Sequence, residues 1–443
     1  MIIPSSVQLD QSVIAALLEH DPLVQDCRAF FSLLDWSVVE QWEAGRSVYC
    51  GTHGHPETAY LKAFLIRIRE GLRYTTQLRS FLQRHPLLII EFGFHLHLDE
   101  SHPYGFDVEQ TLPSRQWFSH KLRTLDPDLL HALLSATVRD LADEIPGLGE
   151  VVAFDVTHSY AWVKENNWRA YVADRYDKTQ ILSGDPDCRL GVKRSTNQEQ
   201  EDGSTTEKKE LIWGYGSGVA AATTPDYGDV VLAEWTLPFN EGDVTYFEPL
   251  YQRCVLALAR VPTHLTADAA FDAWYVYERA VHHAGIAAVP LNAHSLRGGS
   301  RDPDGVPRCR MGLRMVPRFF FAHPNGYRAQ RFGSPLVFPT RLDQPCEWLK
   351  HNHGQGCHKD PNWEAGGLQR VLLDRRSPLY KAIYNQRTSC ERINSQAKEL
   401  GIERPKVRNR QSVAHLNTLT YLIITVRVLD RAISINRGLL HMS

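Results

Sequence analysis

The chain has 443 residues, 49 Lys plus Arg against 51 Asp plus Glu, and a hydrophobic fraction of 43%. These values exclude a disordered chain, which combines low hydrophobicity with high net charge, and no unbroken apolar run of about 20 residues is present to cross a membrane. The near-neutral total hides an asymmetry: residues 297–443 hold 25 Lys or Arg against 11 Asp or Glu, a net of +14, which leaves 24 against 40, or −16, for residues 1–296.

Residues 8–20 and 56–83 carry apolar positions at helical period, such as Ala59, Leu61, Phe64, Leu65 and Ile68 and then Leu78, Phe81 and Leu82, and predict a small helical domain. Residues 114–145 predict two more helices before Pro146-Gly147 breaks them, so the domain boundary falls near 145. The run from Val151 to Asp155 reads as a buried strand that delivers Asp155 to its carboxyl end, or as a strand closed by a turn-forming Asp. Strand character follows at 189–195 and 211–223, separated by the polar run 196–208, which cannot pack a core and predicts a flexible hairpin loop. A strand at 230–237 and a helix over about 247–260 precede residues 263–268, where an apolar strand again ends in an acid, Asp268. A helix from about 274 to 284 and a strand at 286–291 complete an α/β pattern of a mixed sheet with covering helices. Residues 297–365, rich in Arg, Gly, Pro and His, predict inserted short strands and loops, and helices resume near Leu379 and over 413–435.

The eight cysteines, scattered from Cys27 to Cys390, point to a reducing compartment, since a chain this long builds a core without disulfide staples. Residues 1–6 lack a basic stretch followed by an apolar core, so a cytoplasmic location and no membrane role are expected.

Asp155, Asp268 and Glu391 are separated by 113 and 123 residues. Two divalent ions need shared carboxylates of this kind to activate a water or a 3′ hydroxyl and to stabilise the departing oxygen, and hard oxygen ligands suit Mg2+ or Mn2+. Glycoside chemistry also uses paired acids but leaves the late excess of Arg and Lys without a role. Tyr384, Arg387, Glu391 and Lys398 follow one another at gaps of three, four and seven, which puts them on one helical face. That stripe is either a solvated row of ion pairs or a phosphate-facing wall that carries one carboxylate for a metal.

Phe154-Asp155, the run Leu265 to Asp272, and above all Tyr384-x2-Arg387-x3-Glu391-x6-Lys398 resemble the DDE transposases of prokaryotic insertion sequences, in the large group with the Tyr-Arg-Glu-Lys signature. The resemblance covers roughly residues 145–435. It implies a ribonuclease-H-like mixed sheet with flanking helices over 146–443, preceded by an all-helical DNA-binding domain over 1–145. It also implies that Asp155, on the first strand, Asp268, after the fourth, and Glu391, on a later helix, hold two Mg2+ or Mn2+ ions. Arg387 and Lys398 would then contact DNA phosphates near the cleaved bond, and Tyr384 would position the end. Ala269-Ala270 departs from the small or basic residue followed by Gly that many relatives carry there.

Beyond Lys398 the arm Arg404, Lys406, Arg408 and Arg410 suits salt-sensitive binding to a nucleic-acid backbone, with a solvated linker as the alternative. Arg308, Arg310, Arg314 and Arg318 add positive charge along what reads as one strand face. Cys346, His351, His353, Cys357 and His358 contain enough ligands for a structural Zn2+, but their spacing lacks the close Cys-x2-Cys pair, so a loop with polar histidines is preferred. Trp162 and Trp168 read as packing under the sheet, with stacking on an unpaired base as the alternative. His158 lies three residues past Asp155 and stays outside the catalytic set.

The leading expectation is a transposase that binds terminal inverted repeats, cleaves a strand at each end and joins it to target DNA, as a homodimer when two ends are held together. A metal-dependent nuclease that does not join, and a catalytically retired protein that only binds DNA as a regulator, are the alternatives. No Gly-x4-Gly-Lys-Ser/Thr loop calls for a nucleotide cofactor.

Overall fold

The computed structural model describes residues 11–45, 54–196, 207–292, 300–342, 347–350 and 356–440. Several helix starts in the first third fall where a side-chain acceptor precedes the first turn. Asp21 accepts the N–H groups of Leu23 and Val24 at the head of a helix that opens on Pro22, Ser114 accepts that of Trp117, and Asp126 does the same for Asp128 ahead of Pro127. The elements are α1 (Gln11–His20), α2 (Pro22–Phe31), α3 (Ser37–Ala44), α4 (Glu57–Arg69), α5 (Thr75–Arg84), α6 (Pro86–Phe92), α7 (Val108–Thr111), α8 (Arg115–Thr124) and α9 (Pro127–Glu144). Their apolar faces close on one core that includes Val24, Phe31, Phe64, Leu78 and Phe118.

The strands and helices that follow are β1 (Val151–Tyr160), β2 (Arg189–Thr196), β3 (Glu207–Thr224), β4 (Gly228–Pro238), α10 (Phe247–Leu258), β5 (His264–Ala267), α11 (Trp274–Val281) and β6 (Ala287–Ala288). Then come β7 (Val316–Ala322), β8 (Arg328–Gly333), β9 (His358–Lys359), α12 (Ala365–Leu372), α13 (Pro378–Asn385), α14 (Thr388–Glu399) and α15 (Arg410–Leu440). β3 is the spine of the main sheet. It pairs antiparallel with β1, carries β2 along 207–214, and carries β4 along 215–224. β5 and β6 then add parallel strands beyond β1. Three antiparallel strands continued by parallel ones, with helices on the faces, make the ribonuclease-H-like architecture, and it follows an all-helical N-terminal part, as expected. β2 is a strand beyond that pattern, and it makes Asp268 follow the fifth strand rather than the fourth.

Small residues set the distance between this sheet and the segment that crosses it. A Cβ at Gly216 would lie 2.2 Å from the Tyr246 hydroxyl oxygen, and one at Gly218 would lie 2.7 Å from the same ring, so only bare backbone lets Tyr246 and the short turn Asp243–Tyr246 rest on β3. α15 ties the two halves together. It gives Leu419, Leu422, Ile423 and Val426 to the helical core, and Val428, Leu429 and Ala432 to the core under the sheet. By length and hydropathy it would pass for a membrane span, but 89% of its most apolar window is buried inside the protein, so its apolarity is used in packing.

Several elements differ from the sequence expectation for physical reasons. β1 does not end at Asp155; it runs five residues further because Val156 to Tyr160 stay paired with Gly218 to Gly214. The strand expected over 286–291 shrinks to two residues, since the Val289 carbonyl turns away to accept Tyr277 Oη and Arg375 Nε, each at 3.1 Å. Of the polar run 196–208, residues 197–206 lie outside the described residues, while its ends are paired as Thr196 with Glu207. Within the expected insertion, β7, β8 and β9 form a separate sheet over a small core of Val306, Cys309, Met315 and Phe332.

Candidate nucleic-acid interface

Asp155 lies in the middle of β1, half-buried, and its Oδ2 accepts the Asn394 amide of α14 at 3.0 Å. The β1–β5 register pairs Phe154 with Ala267, and Asp268 is the first residue past the end of β5. Asp268 begins a tight turn by accepting the Ala270 N–H at 2.9 Å. Burial pushes the Asp155 carboxyl up to about 6, with Asp268 and Asp243 adding to the rise against the Val156 N–H and Arg387. Burial, with Asp268 nearby, also pushes Asp243 up to about 6.

The third acid is elsewhere engaged. Glu391 is exposed, and its Oε1 accepts Arg387 Nη2 at 2.6 Å. Partial burial lowers the basicity of Arg387, but the bond to Glu391, with Glu391, Tyr384 and Asp155 around it, more than offsets that and holds the guanidinium charged. Its carbon lies 5.8 Å from the Tyr384 ring centre, and that ring stacks on Tyr380. The continuous helical stripe expected from the sequence is broken: α13 ends at Asn385, Gln386 caps it, and α14 starts at Thr388. Tyr384, Arg387 and Glu391 still touch in series across the break. Lys398, nearly two turns on, faces a different neighbourhood beside His158, whose ring is held neutral by burial, with Lys193 and Lys398 adding, at about 4.

Among the described residues no group of three or more His, Cys, Asp or Glu side chains is placed to hold a metal ion. Each of the three acids instead has a donor of its own: the Asn394 amide, the Ala270 N–H and the Arg387 guanidinium. This corrects the expectation of two Mg2+ or Mn2+ ions on Asp155, Asp268 and Glu391. With it go the DDE transposase assignment and the metal-dependent strand cleavage, strand transfer and endonuclease activity that rested on it; the fold stands without that signature. Of the expected zinc cluster, Cys346, His351 and His353 lie outside the described residues, Cys357 packs against the small core of the insertion, and His358 begins β9.

The arm after α14 makes a different kind of site. The Arg404 guanidinium lies 4.1 Å from the Tyr160 ring centre, and Lys406 and Arg408 approach the Trp162 ring at 5.8 and 5.2 Å. Tyr160 at the end of β1 and Trp162 two residues beyond it therefore present two aromatic rings against which the arm lays its cations. A groove of about 390 Å³ runs between them, bordered also by Lys164 and Asn166. A second, of about 460 Å³, opens on the far side of Trp162 toward Arg115, His120 and Arg123 of α8. Tyr74, at the head of α5, meets Trp162 edge-on at 6.0 Å. The two grooves share Trp162, Lys406 and Arg408, so the helical part and the sheet contribute to one basic, aromatic surface. Arg410 anchors the arm's end, its N–H donating to Asp187 at 3.0 Å.

Trp162 is 40% exposed and Trp168 74% exposed, so neither packs under the sheet as expected. Sequence reasoning missed Tyr74, Arg115, Arg123 and Tyr160, which reach the surface from distant segments. The late arginines at 308–318 are largely consumed internally. Arg308 and Arg314 pair with Asp302 at 2.6 and 2.8 Å, while Arg310 and Arg318 lie over Trp348 and Phe338. No family model matches the chain, and no curated protein matches it.

Proposed function

We propose that this protein binds DNA without cutting it, acting as a binding-only regulator on a ribonuclease-H-like scaffold. The convergence of Arg404, Lys406 and Arg408 on Tyr160 and Trp162, beside Arg115 and Arg123 of the helical part, carries this reading. Arg and Lys held along a groove neutralise successive phosphates, and release of counterions supplies most of the affinity. Exposed rings among those cations add faces on which bases or sugars can lie. The separate engagement of Asp155, Asp268 and Glu391 leaves no metal cage among the described residues. Fluorescence anisotropy of labelled duplex DNA across a salt series tests the reading. It requires affinity that falls steeply with salt; binding indifferent to salt, or no binding at low salt, rejects it.

A further inference from the structure

Behind the arm, at the seam between the α4–α5 turn and the end of α14, lies a pocket of about 250 Å³. Arg67, Arg73, Lys398, Arg404, Lys406 and Asn417 line it, with Glu399 as the acid on its wall. Arg67, in the last turn of α4, is only 3% exposed. It does part of what a basic residue at a helix end does: Nε donates to the Leu72 carbonyl at 3.1 Å and Nη2 to that of Arg73 at 2.8 Å. Its Nη1 meets no acceptor, and no carboxylate among the described residues pairs with it.

A fully buried guanidinium without a counter-charge is strongly unfavourable, and proteins rarely keep one without a partner. Burial pulls Arg67 down to about 10, which leaves it charged at neutral pH. The walls compound the excess rather than relieve it: burial lowers Lys406, and Arg73 and Arg404 lower it further. Asn417 adds an unmet polar group, since its Nδ2 donates to Thr236 at 2.9 Å while Oδ1 has no donor. Helix capping explains two of the Arg67 bonds but neither the third nitrogen nor the four cations gathered in front of it.

We propose that this pocket binds a phosphate group, with Arg73, Lys398, Arg404 and Lys406 as donors at its mouth and Arg67 as the buried positive charge behind them. A phosphate group supplies the missing counter-charge and several acceptors at once, and it fits the volume. It comes either from a DNA backbone or from a small free phosphate; only the first source rests on the DNA-binding reading.

Thermal unfolding of the full chain in inorganic phosphate, against chloride at matched ionic strength, tests the site. Phosphate is expected to raise the unfolding temperature. Arg73→Ala and Lys406→Ala, both at accessible positions, should each weaken the apparent phosphate affinity roughly tenfold or more, and Arg67→Met should abolish the effect if that variant folds. Loss of the phosphate effect when duplex DNA is already bound assigns the pocket to a backbone phosphate. An effect that persists in the DNA complex assigns it to a small free phosphate. No gain over chloride, or a gain undiminished in Arg73→Ala and Lys406→Ala, overturns the proposal, and intact DNA binding in that case leaves the DNA-binding reading standing.

Discussion

Arg387 and Glu391, one helical turn apart, hold each other: Nη2 of the guanidinium donates to Oε1 of the carboxylate at 2.6 Å. The spacing that aligns the two on one face is also the spacing at which helical ion pairs close. An acid so engaged and exposed to solvent does not join Asp155 and Asp268 as a third ligand.

Glu391→Gln therefore should change little. The carboxylate end of the pair is exposed to solvent, and its loss is expected to alter unfolding free energy by less than about 1 kcal/mol in urea titrations. DNA affinity should hold or rise as Arg387 is released toward phosphates. A fall of tenfold or more in affinity would show that the carboxylate does something beyond pairing.

Asp155 makes stability depend on pH. Its folded pKa is raised to about 6 from the ordinary 3.8, by burial first, so the fold disfavours its charged form. The penalty is absent below about pH 4, grows as pH rises through the folded value, and is complete above it, at on the order of 2–3 kcal/mol. Asp155→Asn keeps an acceptor for Asn394 and removes the charge. Urea unfolding should find the variant more stable than the parent at pH 7.5 and equal to it at pH 4; a variant less stable at pH 7.5 contradicts the assignment of the shift to burial.

The arm should act through charge. Replacing Arg404, Lys406 and Arg408 together by Ala should lower the slope of log affinity against log salt by about 2.7, at about 0.9 for each phosphate contact on duplex DNA. Trp162→Ala should weaken binding to a single-stranded oligonucleotide by roughly 5- to 150-fold, from 1–3 kcal/mol per stacked base, while Trp162→Phe retains most of it. An unchanged salt slope in the triple variant would move the interface off this surface.

A buried ion pair fixes α12 to the loop after β5. Arg370 donates from Nε and Nη2 to the two oxygens of Asp272, each at 2.7 Å, and the Asp272 side chain is 0% exposed. Arg370→Ala leaves that carboxylate short of its cation and should destabilise the protein by about 3–5 kcal/mol in denaturant unfolding. A loss below about 1 kcal/mol would mean that water or a neighbouring group reaches Asp272.

Much of this architecture was legible in the sequence because periodicity and capping are local. The helical pattern over 114–145 announces α8 and α9, Pro146-Gly147 marks their end, and the apolar run from Val151 announces β1. The candidate site was less legible because it is made of relationships that spacing does not encode. Arg387 and Glu391 share a face whether the acid turns to a metal or to its neighbour. Arg67, in a helix that the sequence marks only by its apolar positions, gives no sign that it is buried without a carboxylate. Trp162 reads as a core residue until β1 is seen to run to Tyr160 and carry it to the surface, where Lys406 and Arg408 meet it from more than two hundred residues away.

The most direct test of the central claim, that the protein holds DNA but assembles no metal site for cutting it, is a denaturing gel of saturated protein–DNA complexes incubated with Mg2+ or Mn2+. Bound DNA should stay full length with either ion, in the parent protein and in Asp155→Asn and Glu391→Gln alike. Metal-dependent nicking or joining by the parent protein that disappears in those two variants would contradict it.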